Sequence, residues 1–342
     1  MQGVYRSLAI ALVVLAFVAG SPASAAPTAN RSFASAEIAT VVAAGLMAPS
    51  VETFRPDDAL TASELATVIA SLGGAISAEN PDAAVTIREL DARLVTLAGL
   101  RPAARTIREA VVSAGITPRP WFGTEAVARM MGLRINHLRE DDTLELQVSD
   151  PATRAEAAYS VARYLALEDT DLESVRAAAQ AFTLPDLTDW QRLVLSRALR
   201  FVGSPYVFAG TSERPQQLFG KLLPGGFDCS GFVWRVFRLQ VFAGAPGLSR
   251  VLQGRTSYAM SGEVPRSLRL SREELGPGDV VFFGAHGSHS KPSEVGHMGI
   301  YVGNGWIVHS SRYGTTLTPM TGWYETSFAW GRSPLVEAGL EY

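Results

Sequence analysis

Apolar residues recur at helical spacing along the first half of this chain and in short runs along the second, and the change falls near residue 170. From residue 30 to about 170 the sequence is rich in Ala, Leu and Val, with few aromatics and no strong strand alternation, which predicts a mostly helical region. A Thr-x-x-Glu pattern recurs there ahead of apolar stretches, at Thr61 with Glu64, Thr86 with Glu89, Thr106 with Glu109 and Thr153 with Glu156. The threonine hydroxyl accepts from the backbone N–H three residues on while the glutamate reaches back, so each pair predicts a helix start. Gly45-Leu46, the Phe54 to Asp58 loop and Thr61 to Leu72 read as helix, loop, helix, and a looser copy runs from Phe122 through Gly132-Leu133 to Glu156. Repeats bury their faces by stacking, so the pattern predicts a repeat-like array, with residues 74 to 120 fitting poorly. Glu168 to Thr188 reads as a connector, charged and then Pro-containing, with a helix-compatible stretch from Leu172 to Phe182.

Beyond it, glycine, aromatics and β-branched runs predict a mixed α and β domain. Thr188 with Gln191 predicts another helix start, placing Trp190, Leu193, Val194, Ala198 and Phe201 on one face and ending at Gly203. Asp228 is a good N-cap, and Cys229, Phe232, Val233 and Val236 follow at helical spacing. His297 opens a strand that runs to Val302, and after Gly303-Asn304-Gly305 a partner strand carries Trp306 to His309. A two-residue Asn304-Gly305 loop opposes His309 to Ile300 and puts the two histidines on opposite faces. A three-residue loop opposes His309 to Gly299 and makes it a same-face diagonal neighbour of His297. Chemistry favours the second register, so an odd-length loop or a bulge is expected at Gly303 to Gly305.

The chain has 342 residues, 47% hydrophobic and 18% charged, with a net charge of −3. That suggests two domains with real cores and excludes a disordered tail or a basic nucleic-acid binder. Arg6, the apolar run Leu8 to Ala19 and the small residues Ala23-Ser24-Ala25 read as a cleaved signal, short of the ~20 residues a membrane-spanning helix needs. The organisation expected is a signal peptide over 1–25, a helical region over 30–170, a linker over 171–189 and a mixed α and β domain over 190–335. A mature chain beginning near Ala26 is expected to be secreted or at the cell surface, without a lipid anchor because the one cysteine, Cys229, lies far downstream.

A lone cysteine in an exported chain is either a small buried apolar residue or a reactive thiol. The first turn of a helix favours the second, since amide N–H groups and the helix dipole favour the thiolate there. Of the five histidines, His137 reads as a surface residue, and His286 and His289 lie in a polar loop. Without a His-Glu-x-x-His helix or a second ligand cluster, neither a metal nor another cofactor is expected. His297 and His309 remain as a base and the group that orients it.

These residues carry two resemblances. Thr153-Arg154-Ala155-Glu156 resembles the helix-opening motif of the S-layer homology repeat, complete at this one site, which implies that Arg154 contributes to binding a secondary cell-wall polymer. Tyr206-Val207-Phe208-Ala209-Gly210, Asp228-Cys229-Ser230-Gly231-Phe232-Val233, Arg255-Thr256-Ser257, Leu275 to Phe283 and Gly296 to Gly305 with His309 resemble, in order and spacing, the NlpC-type papain-like cell-wall cysteine endopeptidases. That resemblance implies an α+β fold, with helices packed on an antiparallel sheet, preceded here by the helical region. It implies Cys229 as nucleophile, His297 as base and acid, His309 as orienter, Tyr206 as an oxyanion donor, and Asp228 and Ser230 lining the cleft. The implied substrate and partner is peptidoglycan, cut at a stem-peptide amide, commonly between D-glutamate and a diamino acid. A muramoyl-alanine amidase or acyl transferase on the same fold, and a non-catalytic wall-attached protein, are the alternatives. Two departures stand out: Phe208-Ala209 where the family usually has Trp-Gly, with the aromatic expected to stay in the core, and a longer loop from Ala285 to Glu294. Both are read as altered specificity.

Overall fold

The computed structural model describes residues 32–137 and 145–340, so the expected signal segment lies outside the described residues. The helical part comprises α1 (Ser35–Ala43), α2 (Ala62–Ser71), α3 (Ile87–Leu97), α4 (Arg101–Ser113), α5 (Phe122–Met130), α6 (Arg154–Leu165) and α7 (Asp169–Ala181). Three helices start from one closed ring of backbone hydrogen bonds. Leu60 N–H donates to Ala152 O at 2.8 Å, Ala152 N–H to Val85 O at 2.7 Å, and Val85 N–H to Leu60 O at 2.9 Å. The ring sets the caps Thr61, Thr86 and Thr153 around a common centre, and its second member comes from the stretch that fits the repeat poorly.

The caps are not equivalent. Thr61 with Glu64 and Thr86 with Glu89 form complete boxes. Thr153 accepts from Glu156 N–H at 3.2 Å, but the Glu156 carboxylate turns to Arg134 and His137, both at 3.1 Å. Thr106 caps nothing: α4 begins five residues earlier with Pro102 in its first turn, and the Thr106 hydroxyl donates to Pro102 O at 3.1 Å. A proline is pre-organised for a helix start, and it overrides the local box. His137, expected at the surface, is buried against Glu156 and stacked on Phe33 with ring centroids 3.5 Å apart.

Residues 171–189 do not form a free linker. Most of α7 lies within them, and Val175 and Ala179 are buried as the helix packs on α4. Next come α8 (Asp189–Leu199), β1 (Thr211–Ser212), β2 (Gln216–Leu218), β3 (Lys221–Leu223), β4 (Gly226–Phe227), α9 (Cys229–Phe237), α10 (Leu248–Val251) and α11 (Ser257–Gly262). The Thr188–Gln191 box forms, but the buried stripe of α8 is Gln191, Val194, Leu195, Ala198 and Leu199, leaving Leu193 exposed. The helix faces two surfaces, α9 on one side and the sheet end near Gly278 on the other, and that rotates its buried face.

The chain ends with β5 (Val280–Gly284), β6 (Val295–Gly303), β7 (Trp306–Ser311), β8 (Gly314–Pro319), α12 (Trp323–Thr326), β9 (Phe328–Arg332) and α13 (Pro334–Glu337). β5 to β9 make one antiparallel sheet in the order β8-β7-β6-β5-β9. α9 lies on β6 and β7 and buries Phe232, Val233, Val236 and Phe237 completely. The expected fold, helices on an antiparallel sheet behind a helical region, is therefore present. One contiguous apolar core runs from Ala34 to Leu335 through both parts. Arg129 of α5 reinforces the join by donating to Gly203 O at 2.8 Å and to Tyr313 O, and its charge is matched by buried Glu145.

Candidate active site

The site forms where the first turn of α9 meets the middle of β6. Asp228 has extended backbone and its Oδ1 accepts from Gly231 N–H, so it is the N-cap the sequence predicts. Cys229 is thereby held at the first helical position, half-buried, with its sulfur near the N–H groups of Ser230 and Met298. Met298 follows His297, so the thiol sits against the strand that carries the histidine.

The hairpin register is what brings the histidines together. Gly303 pairs with Trp306 across a two-residue Asn304-Gly305 turn, with left-handed φ of +50° and +79° suited to Asn-Gly. A bulge at Val302 then shifts the ladder by one, so that Tyr301 pairs with Ile307 and Ile300 with Val308. The irregularity lies one residue before the expected position, and it restores the register in which Gly299 backs onto His309. A Cβ on Gly299 would lie 2.9 Å from His309 Cβ, so the glycine is what lets the two strands close there. His297 Nε2 and His309 Nδ1 are 2.9 Å apart, and His309 Nε2 is 3.1 Å from Thr318 Oγ1. This leaves His297 Nδ1 outside the chain of bonds.

Burial, and after it the neighbouring Asp228 carboxylate, push the Cys229 thiol up to about 12, outweighing the amide N–H groups that the helix start supplies. Burial pulls His297 down to about 4 and His309 well below its ordinary range. Burial therefore opposes the thiolate that the helix start favours, and it opposes the charged form of both imidazoles. Tyr206 lies beside the thiol, and burial, then Cys229 and Asp228, push its hydroxyl up to about 12, so it remains an O–H donor.

Asp228 and Ser230 are both buried, and Arg255 binds them together. The guanidinium donates to Ser230 Oγ at 2.8 Å, to Ala209 O at 2.9 Å and to both Asp228 oxygens at 3.3 Å. Asp228 Oδ2 also accepts from Ala209 N–H at 2.9 Å. These two residues brace the Tyr206 turn against the α9 start. Ala209 holds a left-handed φ of +62°, a conformation that suits the glycine usual at this place. Phe208 is not a core residue; it is 62% exposed.

Arg154 is far from this site. It is 3% exposed, its guanidinium donates to Phe54 O, Met47 O and Glu64, and it lies over the Phe54 ring. Its guanidinium thus points inward and clamps the start of α6 to α2 and to the Met47–Phe54 segment. His286 and His289 are exposed, and no cluster of three His, Cys, Asp or Glu side chains suited to a metal occurs among the described residues.

The sequence reading missed four participants. Tyr324 packs edge-on against His309, centroids 5.0 Å apart, and Phe283 tilts against His297 at 5.8 Å. Thr318 ends the histidine chain; β8 pairs Thr316 with His309, so a register drawn through the Gly314 turn identifies Thr318 as a diagonal neighbour. Glu145, buried in the helical part, accepts from Tyr206 N–H at 3.4 Å, a contact with no local signal. A cavity of about 630 Å³ opens behind the histidines between Tyr324, Thr318, Arg163 and Asp171.

Residues 203–332 match the model of the NlpC/P60 family. A probable endopeptidase of Mycobacterium tuberculosis is 36% identical over 135 residues, 39% of this chain and 27% of that protein. The probable peptidoglycan endopeptidase LytE of Bacillus subtilis is 32% identical over 131 residues, 38% of this chain and 30% of its own. The chain thus spans about a third or less of the length of these curated relatives. A solved NlpC/P60 family protein from Bacillus cereus is 24% identical, covering 45% of this chain and 43% of its own, with a TM-score of 0.31. The C-terminal part of the chain therefore carries a domain of the NlpC/P60 family, with its helix packed on an antiparallel sheet.

Proposed function

We propose that the protein is an exported peptidoglycan hydrolase that cleaves a stem-peptide amide, the D-glutamyl to diamino-acid bond, through a thioester on Cys229. The observation that carries the reading is the 2.9 Å contact between His297 Nε2 and His309 Nδ1, since it orients the histidine carried by the strand whose Met298 N–H lies near the thiol. The relatives named as endopeptidases support the substrate class.

The hydrogen-bond chain accommodates the tautomers this chemistry needs. For His297 Nδ1 to accept the thiol proton, its Nε2 carries hydrogen and donates to His309 Nδ1; His309 then carries its own hydrogen on Nε2 and donates to Thr318 Oγ1. Burial opposes the charged forms of thiol and imidazole, so attack couples proton transfer to carbon–sulfur bond formation. Sγ adds to the amide carbon as its proton passes to His297 Nδ1, and the carbonyl becomes an oxyanion. Tyr206 O–H and the Cys229 N–H at the helix start donate to that oxyanion. The imidazolium then protonates the leaving amine, the C–N bond breaks, and a thioester remains. Water, deprotonated by the same nitrogen, releases the acid and restores the thiol.

The test is digestion of purified peptidoglycan by wild type and Cys229→Ala, read by mass spectrometry of the released fragments. New D-glutamate carboxyl ends and diamino-acid amines from wild type alone support the proposal. Ends at muramic acid instead, or equal release by the alanine variant, overturn it.

A further inference from the structure

Beside the cleft stands an exposed aromatic ledge that the proposed chemistry leaves unused. Phe208, one residue from Ala209 and two from Tyr206, is 62% exposed, and Phe219 at the tip of the β2–β3 hairpin is 73% exposed. Their rings lie near-parallel, 14° between planes and 6.0 Å between centroids. Leu222 on the same hairpin is 66% exposed.

The ledge is built rather than accidental. Phe219 and Gly220 form the hairpin turn with φ of +52° and +75°, and a bulky L residue is disfavoured at the first of these. Beyond its stacking on Phe208, neither burial nor the turn rewards a phenylalanine there, and strain of this kind clusters where a side chain must be presented. The hairpin base is fixed. Gln216 Oε1 accepts from Thr211 N–H at 2.9 Å while its Nε2 donates to Gly226 O at 3.0 Å, tying the hairpin to both β1 and β4. β4 runs directly into Asp228 and Cys229, and Ala209 N–H is bonded to Asp228, so both rings are held to the start of α9.

We propose that Phe208 and Phe219 bind a pyranose ring of the glycan strand whose stem peptide enters the Cys229 cleft. This rests on the reading of that cleft as a peptidoglycan site and adds a second subsite to it. The stem peptide is largely charged and amide-bearing, with little flat apolar surface to offer. A pyranose presents a face of C–H bonds that matches an exposed aromatic face, while its hydroxyls stay in water at the rim. Continuity with the cleft places that ring on the chain that carries the scissile peptide.

The experiment compares wild type with Phe219→Ser on two substrates that share one peptide: the disaccharide-linked stem peptide and the free stem peptide. The expected result is a fall of about five- to tenfold in the ratio of kcat/KM values, linked over free, carried by KM, as for the loss of one ring contact. An unchanged ratio, or an equal fall on both substrates, overturns the ledge and leaves the hydrolase reading standing. Binding of peptide-free glycan chains is measured in parallel by calorimetry. Glycan binding that Phe219→Ser abolishes, with no cleavage of either substrate by wild type, keeps the ledge and overturns the hydrolase. A wild-type dimer in sedimentation that the serine variant disperses, without glycan binding, assigns the rings to self-association and overturns the proposal.

Discussion

Gly299→Ala tests the geometry of the histidine pair without touching a reacting atom. The glycine has no left-handed backbone requirement, so alanine is conformationally acceptable, but its Cβ would sit 2.9 Å from His309 Cβ and 3.0 Å from Val308 O. Ordinary contact begins at 3.4 Å, so His309 must retreat by about half an ångström. Both flanking strands are interior to the sheet, and the crowded atoms are the His309 Cβ and a backbone oxygen, so β7 itself must shift and carry the His309 ring with it. The 2.9 Å bond from His297 then stretches past good hydrogen-bond geometry. Misplacement by ~1 Å costs ~10²-fold in rate, so half that distance implies a fall of about tenfold in kcat with little change in KM. Overpacking costs about 1–3 kcal/mol of stability, which a thermal melt reads independently. The assay is release of soluble fragments from purified peptidoglycan below the melting range of both proteins. Gly296→Ala, where nothing lies within 4 Å of the added Cβ, is the control and should behave as wild type. A folded Gly299→Ala protein within twofold of wild-type kcat would refute the argument that His309 holds the base in place.

Three further outcomes follow. Tyr206→Phe should lower kcat by about 10²–10³ if its hydroxyl binds the oxyanion, and a change under threefold removes it from the mechanism. His297 must be neutral to accept the thiol proton and burial holds it down to about 4, so the acid limb of kcat/KM should fall through pH ~4 instead of 6.5. At His297 the folded state then binds fewer protons than the unfolded one across that interval, so this residue's contribution to stability should rise from pH 4 to 6.5, whereas buried Glu125, raised to about 8, works the other way; the check is the difference between wild-type and His297→Asn melts, and a difference insensitive to pH there contradicts the assignment. Arg154→Ala should destabilise the protein by about 3 kcal/mol, because it strands the Phe54 and Met47 carbonyls and unpairs Glu64; an unchanged melt with lost wall binding would restore a surface role.

Local chemistry was readable and tertiary choice was not. Asp228 as cap, Cys229 in the first turn and the same-face histidine register all follow from rules spanning a few residues, and each is found. The bulge was predicted from chemistry alone and sits at Val302, where the tight Asn-Gly turn leaves the ladder one residue long. Thr106 has the pattern of a cap but lies within a helix that a proline starts earlier, and α8 turns its stripe because two surfaces claim it. His137, Arg154 and Glu145 are polar side chains of the kind usually left at a surface, yet each is buried with a partner at least 16 residues distant. The ring that joins residues 60, 85 and 152 shows why: the partners of a helix start are fixed by the other starts, which no local window contains.

The central claim is that Cys229 forms a covalent acyl intermediate with the stem peptide. Intact-protein mass spectrometry after rapid acid quench tests it most directly, using wild type and Cys229→Ala with a stem-peptide substrate. The expected outcome is a mass increase on wild type equal to the acyl fragment, lost on treatment with hydroxylamine and absent from the alanine variant. Substrate cleavage by both proteins, with no adduct on either, would contradict the claim.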